Sequence, residues 1–208
     1  MKKYIIFIIL LTFISILFAK TVHISADYVE PTNNLIKYEG SVYVFIESDN
    51  LELETAQMQI EKQNNKWVVL KAPEDVSISF KDGNLTGKNL NYNIETQYGI
   101  IYDASLTIFD SKSSETILVT SESLTFDLNK NYFEGKSSLE KIKIIKGTIL
   151  AHSYEFIYDK NEGIIVLNKE VELIDNEKNI KLKAEKITID TETNNMEAEK
   201  VQVEIVVE

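Results

Sequence analysis

Ile180-Lys181-Leu182-Lys183-Ala184-Glu185-Lys186-Ile187-Thr188-Ile189-Asp190 is the clearest copy of the pattern that decides the fold. Apolar residues stand at 180 and 182, then at 187 and 189, with the small Ala184 between the two pairs. A spacing of two marks a strand, because alternate side chains of an extended backbone share one face. The parity changes from even to odd across Ala184, so a straight strand would turn its second apolar pair toward water. The chain must bulge or bend there, and such a corner tolerates little bulk.

The same arrangement, apolar-x-apolar-x-small-x-x-apolar-x-apolar, occurs six times, with the small residue at Ala26, Thr55, Gly87, Ser121, Ser153 and Ala184. These pivots are 29, 32, 34, 32 and 31 residues apart by subtraction, which makes the chain an array. Arrays of this period stack, so that neighbours bury what one unit cannot. Between pivots the sequence offers Asn- and Asp-rich turns, such as Asn64-Asn65, Asn129-Lys130-Asn131 and Asn194-Asn195, where asparagine tolerates positive φ. Two short apolar pieces follow most turns, for example Leu35 to Tyr38 and Ser41 to Ile46, or Ile164 to Leu167 and Val171 to Ile174. The reading is one long bent strand followed by two short ones in each unit, joined by tight connections that favour antiparallel pairing.

The predicted fold is therefore all-β: an elongated antiparallel sheet folded over on itself, a taco-like β-sandwich or jelly roll of about six repeats. No stretch after residue 20 carries a convincing helical period. A sheet that alternates apolar and polar residues has one dry face, which must meet another.

Residues 1–19 carry Lys2 and Lys3 and then an apolar stretch from Tyr4 to Phe18, broken only by Thr12 and Ser15. This is the plan of an export signal helix. Cleavage after Ala19 is expected, while Leu17 at a position that prefers a small residue leaves an uncleaved inner-membrane anchor open. Residues 20–208 then form one β domain. With no cysteine, neither disulfides nor a lipid-modified N-terminus is available, so stability comes from burial. The net charge is −11, and loss of the two leader lysines makes the exported chain more acidic still. Nucleic acid is excluded as a partner on that ground.

Catalysis finds no support. No Gly-rich phosphate loop, Gly-x-Ser-x-Gly elbow or convergent carboxylate pair is present, and the acids Asp127, Asp159 and Asp190 follow the apolar pairs as turn caps would. His23 and His152 are far apart with no cysteine beside them, so no metal site and no cofactor is expected.

The chain resembles the OstA-like family, the periplasmic proteins of lipopolysaccharide transport known as LptA and LptC. The likeness is carried by Ile24-Ser25-Ala26-Asp27 and Ala184-Glu185-Lys186-Ile187-Thr188-Ile189-Asp190. Tyr38-Glu39-Gly40-Ser41-Val42-Tyr43-Val44 carries it as well. The resemblance implies a periplasmic, non-enzymatic protein of the cell envelope that holds lipid acyl chains in the fold of its sheet, the lipid being lipopolysaccharide or a similar glycolipid. It further implies partners among other envelope transport proteins, added end to end by β-augmentation, and self-association by the same route. On this reading the candidates for the groove are Ile60, Leu90, Tyr92, Val119, Leu124, Phe126, Phe156, Tyr158, Ile187 and Ile189. Ile24, Val201, Val203 and Ile205 are candidates for edge docking. The plainer reading of any one groove candidate is core, since burying a Leu, Ile or Phe stabilises by about 1.5–3 kcal/mol whatever else it does. The alternative function is a structural or scaffold protein of the envelope with no lipid cargo. A carbohydrate-active solenoid is remote, because no acidic cluster recurs on one strand face.

Overall fold

The computed structural model describes residues 20–205, so the expected leader at 1–19 and the final Val206, Val207 and Glu208 lie outside the described residues. The first strands are β1 (Val22–Ser25), β2 (Tyr28–Pro31), β3 (Leu35–Ile46), β4 (Leu51–Gln63), β5 (Lys66–Ala72) and β6 (Val76–Phe80). The middle of the chain gives β7 (Gly83–Asn93), β8 (Tyr98–Asp110), β9 (Glu115–Asp127), β10 (Tyr132–Lys136) and β11 (Ile142–Lys146). Last come β12 (Ile149–Ser153), β13 (Glu155–Asp159), β14 (Ile164–Asp175), β15 (Ile180–Asp190), β16 (Met196–Glu199) and β17 (Gln202–Ile205). They form a single 17-stranded sheet with antiparallel pairing throughout. The all-β expectation is met.

A crease crosses every long strand. β3 pairs with β4 from Leu35↔Glu61 to Glu39↔Gln57 and again from Val42↔Thr55 to Ile46↔Leu51, so Gly40 and Ser41 stand opposite Ala56 alone. In β14 against β15, Lys169 and Glu170 stand opposite Glu185 in the same way. The extra residues are left-handed: Gly40 at φ 71°, Ser41 at 45°, Lys169 at 65° and Glu170 at 52°. Non-glycine residues held there cost about 1–3 kcal/mol each, and burial of the apolar pairs on both sides outweighs that. The small residues read from the sequence are one half of this joint. The bulge sits on the strand that pairs with them.

One expectation needs correction. Units do not each hold one bent strand and two short ones. The stretches 35–46, 98–110 and 164–175 run through the crease as single strands, because the ladder resumes straight after the bulge. Conversely the pattern around Ala26 is split into β1 and β2, and that around Ser153 into β12 and β13 at Tyr154.

The crease divides the sheet into two walls. In the first, Ile24, Val44, Leu53, Ile78, Leu85, Leu106 and Val119 lie in one cross-strand row that continues through Ile144, Ala151, Leu173 and Leu182 to Val203. The second wall carries a matching row from Ile36 through Ile60, Leu70, Tyr92 and Gly99. It goes on through Phe126, Phe133, Tyr158, Ile165 and Ile189 to Met196. These rows face each other and make one core; Phe80 of the first wall stacks on Phe133 of the second at 6.1 Å between ring centroids.

Turns behave as their sequence suggests. Asn64, Asn65, Asn131, Asn179 and Asn194 all take positive φ. The strand-ending aspartates cap them: Asp127 Oδ1 accepts from the Lys130 N–H, Asp159 Oδ1 from Asn161 and Glu162, and Asp190 Oδ1 from Glu192 and Thr193. Asp127 is not outward-facing but nearly buried, and Asp110 and Asp175 are fully so.

Gly99 sits between Tyr92 and Phe126 in the second-wall row, and those two rings stack across it at 5.9 Å. A Cβ on Gly99 would stand 2.4 Å from Phe126 Cζ, in a core with no slack. Gly99→Ala is expected to destabilise by about 1–3 kcal/mol through overpacking, read as a lowered midpoint in urea unfolding.

Candidate functional site

The groove candidates fall on the inner faces. Ile60, Tyr92, Phe126, Tyr158 and Ile189 occupy the second-wall row just described. Leu124, Phe156 and Ile187 lie in the neighbouring row of the same wall. Leu90 pairs with Ala72 in that wall, and Val119 belongs to the first. All are buried, none above 5% exposed, and they pack on one another and on the opposite wall. The interior is thus apolar along its whole length and filled by side chains through its middle.

Its two ends differ from the middle. At one, Val22, Ile24, Ile36 and Tyr38 are only partly buried; at the other, so are Leu182, Met196 and Ala198. Of the edge candidates, Ile24 is half-buried in β1, whereas Val203 and Ile205 in β17 are 54% and 63% exposed. Val201 lies at the kink between β16 and β17 rather than in a strand. Among the described residues, the strands β1 and β2 at one end and β16 and β17 at the other each have a neighbour on one side only.

Opposite the crease, where the strand ends of the two walls meet, runs a seam that the sequence reading missed. Asp82 in the β6–β7 turn of the first wall binds Lys160 of the second at 2.6 Å. Lys20 donates to Asp49 Oδ2 at 2.7 Å and, across the seam, to the carbonyl of Ile94 at 3.0 Å. Lys146, almost fully buried, donates to Glu115 and reaches Asn194 Oδ1 of the other wall at 2.6 Å. Lys178 donates to the Asn194 carbonyl at 2.8 Å. One signal was present: Lys146 closes the run Ile142-Lys143-Ile144-Ile145-Lys146 at inward parity, where a charge needs a partner.

Asp110 joins the same seam. Burial pushes its carboxyl up, but Thr191, the Lys112 N–H, Ser113 and Tyr158 together hold it below the ordinary carboxylate value. Lys112 N–H and Ser113 Oγ donate to it at 3.1 and 2.9 Å. The Tyr158 and Thr191 hydroxyls lie beside it without reaching hydrogen-bonding geometry. Burial first, and then the charge of Asp110, pushes the Tyr158 phenol up. Tyr92 is raised likewise by burial and by Asp49. Both rings stay neutral and serve as wall.

Among the described residues no group of histidines and acids is arranged to hold a metal ion. His23 is exposed and paired with Glu47 at 2.7 Å, and among the described residues no helix is long and apolar enough to cross a membrane.

Glu115→Leu leaves the Lys146 ammonium buried and short of its counter-charge, at a cost of about 3–5 kcal/mol; adding Lys146→Met restores most of it, in a double-mutant cycle read by urea unfolding. Because the folded carboxyl of Asp110 is held below its unfolded value near about 3.9, its contribution is complete above that pH and is lost as pH falls through the folded value. The melting temperature should therefore drop between about pH 5 and pH 2, and Asp110→Asn should flatten that drop.

No family model and no curated protein matches the sequence. Among solved structures, the chain is similar to that of LptH from Pseudomonas aeruginosa, described as the LptA homologous periplasmic component of the conserved lipopolysaccharide transport device. The match has 13% sequence identity over 90% of this chain and 96% of that one, with a TM-score of 0.28.

Proposed function

We propose that the protein is an exported, non-enzymatic carrier of lipid acyl chains, which it holds between its two sheet walls while its free edge strands pair with partners. The observation that supports this is the continuity of the inner rows: apolar from one free edge to the other, with the terminal members left partly open to solvent. A protein needing only a core has no use for an open-ended one, since free strand edges and exposed apolar ends invite unwanted pairing. The cargo on this reading is lipopolysaccharide or a similar glycolipid, the place is the periplasm, and residues 1–19 are the export signal or a tether to the inner membrane. The partners are other envelope proteins, or further copies of the chain, added by β-augmentation.

A second reading, an envelope scaffold without cargo, is favoured by one specific observation: the middle of the interior is filled by its own side chains. On the first reading an acyl chain enters only if the walls part, and the seam contacts are what must yield.

Two sets of variants separate these readings. Leu124→Asp or Phe126→Asp should abolish binding of lipopolysaccharide in a competition assay and also lower stability, since an unpaired charge is forced into the core. A wild-type protein that fails to bind lipopolysaccharide or any other long-chain lipid leaves only the scaffold. Val203→Pro or Ile205→Pro should keep the fold but block end-to-end assembly, because proline removes a ladder donor; sedimentation indistinguishable from wild type would sink docking at that edge.

A further inference from the structure

Between the Lys20–Asp49 and Lys160–Asp82 contacts the seam opens on a cavity of about 330 Å³, near the lower end of the roughly 300–1,000 Å³ of small-ligand sites. Its floor is apolar. Phe80 and Leu128 are partly exposed there, over the buried Ile108 and Phe133. Its rim is charged by Lys81 and Lys160 on one hand and by Asp49 and Asp82 on the other.

A second hollow, of about 560 Å³, also has two lysines and aromatic rings, but Lys37 and Lys71 there both pair with carboxylates, Glu30 and Glu61. The larger one along the crease, about 940 Å³, is lined by Glu54, Asp75 and Asp103 with Lys88 as its one cation, and Tyr43 is its one aromatic residue. At the seam mouth, by contrast, an acidic chain of net charge −11 sets two lysines over a phenylalanine. Lys160 is 10% exposed in its side chain and keeps Asp82 as partner. Among the described residues the exposed Lys81 has no carboxylate within ion-pair distance.

We propose that this mouth is a binding port for an acyl chain carrying an anionic headgroup, the chain lying on Phe80 and Leu128 and the headgroup held by Lys160 and Lys81. The port rests on the lipid reading above and adds to it a place of admission and a headgroup class. Asp82 then has a definite part: it keeps the nearly buried Lys160 ammonium paired while the port is empty, because an unpaired charge there is costly. An arriving phosphate or carboxylate exchanges with Asp82 for the same ammonium. That exchange also removes one of the contacts that join the walls, which links arrival of the headgroup to loosening of the seam.

Calorimetric titration of the purified protein below micelle-forming concentrations, with dodecyl phosphate, dodecyl maltoside and inorganic phosphate, tests this. Dodecyl phosphate should bind, dodecyl maltoside should bind more weakly, and inorganic phosphate should not bind. Lys160→Met should weaken dodecyl phosphate roughly tenfold, the worth of one charged hydrogen bond, and leave dodecyl maltoside unchanged. Asp82→Asn should tighten dodecyl phosphate by a similar factor, since the headgroup no longer competes for Lys160. Lys81→Gln, at an exposed position that carries no fold, should weaken it roughly threefold. Unchanged affinity for dodecyl phosphate in both lysine variants overturns the port and leaves the lipid reading standing. Inorganic phosphate binding as tightly as dodecyl phosphate reduces the mouth to a bare anion site and also overturns it. Absence of binding by any amphiphile to the wild type overturns the port and the lipid reading together.

Discussion

A strand has one alternation, and this sheet needs two. To fold over and keep apolar side chains inside on both walls, every strand must exchange its inward and outward faces at the crease, and an uninterrupted ladder forbids that. The paired device of a left-handed bulge on one strand and a small residue on its neighbour solves the problem at Gly40-Ser41, beside Thr55 and Ala56, and again at Lys169-Glu170, beside Ala184. Everything else depends on it. Without the exchange, Phe126 and Tyr158 would point to solvent whenever Val119 and Ala151 pointed in.

The two long borders of the folded sheet are chemically opposite. Along the crease the backbone itself joins the walls, and the joint is permanent. Along the seam they are joined by side chains from strand ends and turns, through the buried Asp110 and Lys146, the pair Lys160–Asp82 and the contact of Lys20 with the Ile94 carbonyl. Contacts of that kind are exchangeable and answer to pH and competing ions, whereas the crease does not. A fold built to part its walls would place its polar contacts on this border, and a fold built only to stand would gain more from apolar side chains there.

Much of this was legible in the residues. The parity change across Ala184 announced both the strand and its corner, and the Asn-rich segments announced the turns. What the pattern concealed was how far a strand continues past its pivot: β4 runs unbroken through Thr55, whereas the strand stops after Ser153 and starts again at Glu155, and nothing in the small-residue motif distinguishes the two. The seam was concealed for a different reason. Asp82 and Lys160 are 78 residues apart, each looks like an ordinary polar turn residue, and only the stacking of repeats brings them together. Separation of the walls is likewise a matter of tenths of a nanometre that no periodicity encodes, which is why Tyr92 and Leu124 read as well for a groove as for a core.

The first and last strands lie at opposite ends of a stack in which each strand is bonded chiefly to its neighbours. Tension applied through anchors at those ends would act across the rungs, opening hydrogen bonds a few at a time instead of shearing a whole ladder at once. Loaded that way, the fold would yield at the rungs between strands before its backbone, so its resistance to tension along the stack is set by hydrogen bonds and not by covalent chain.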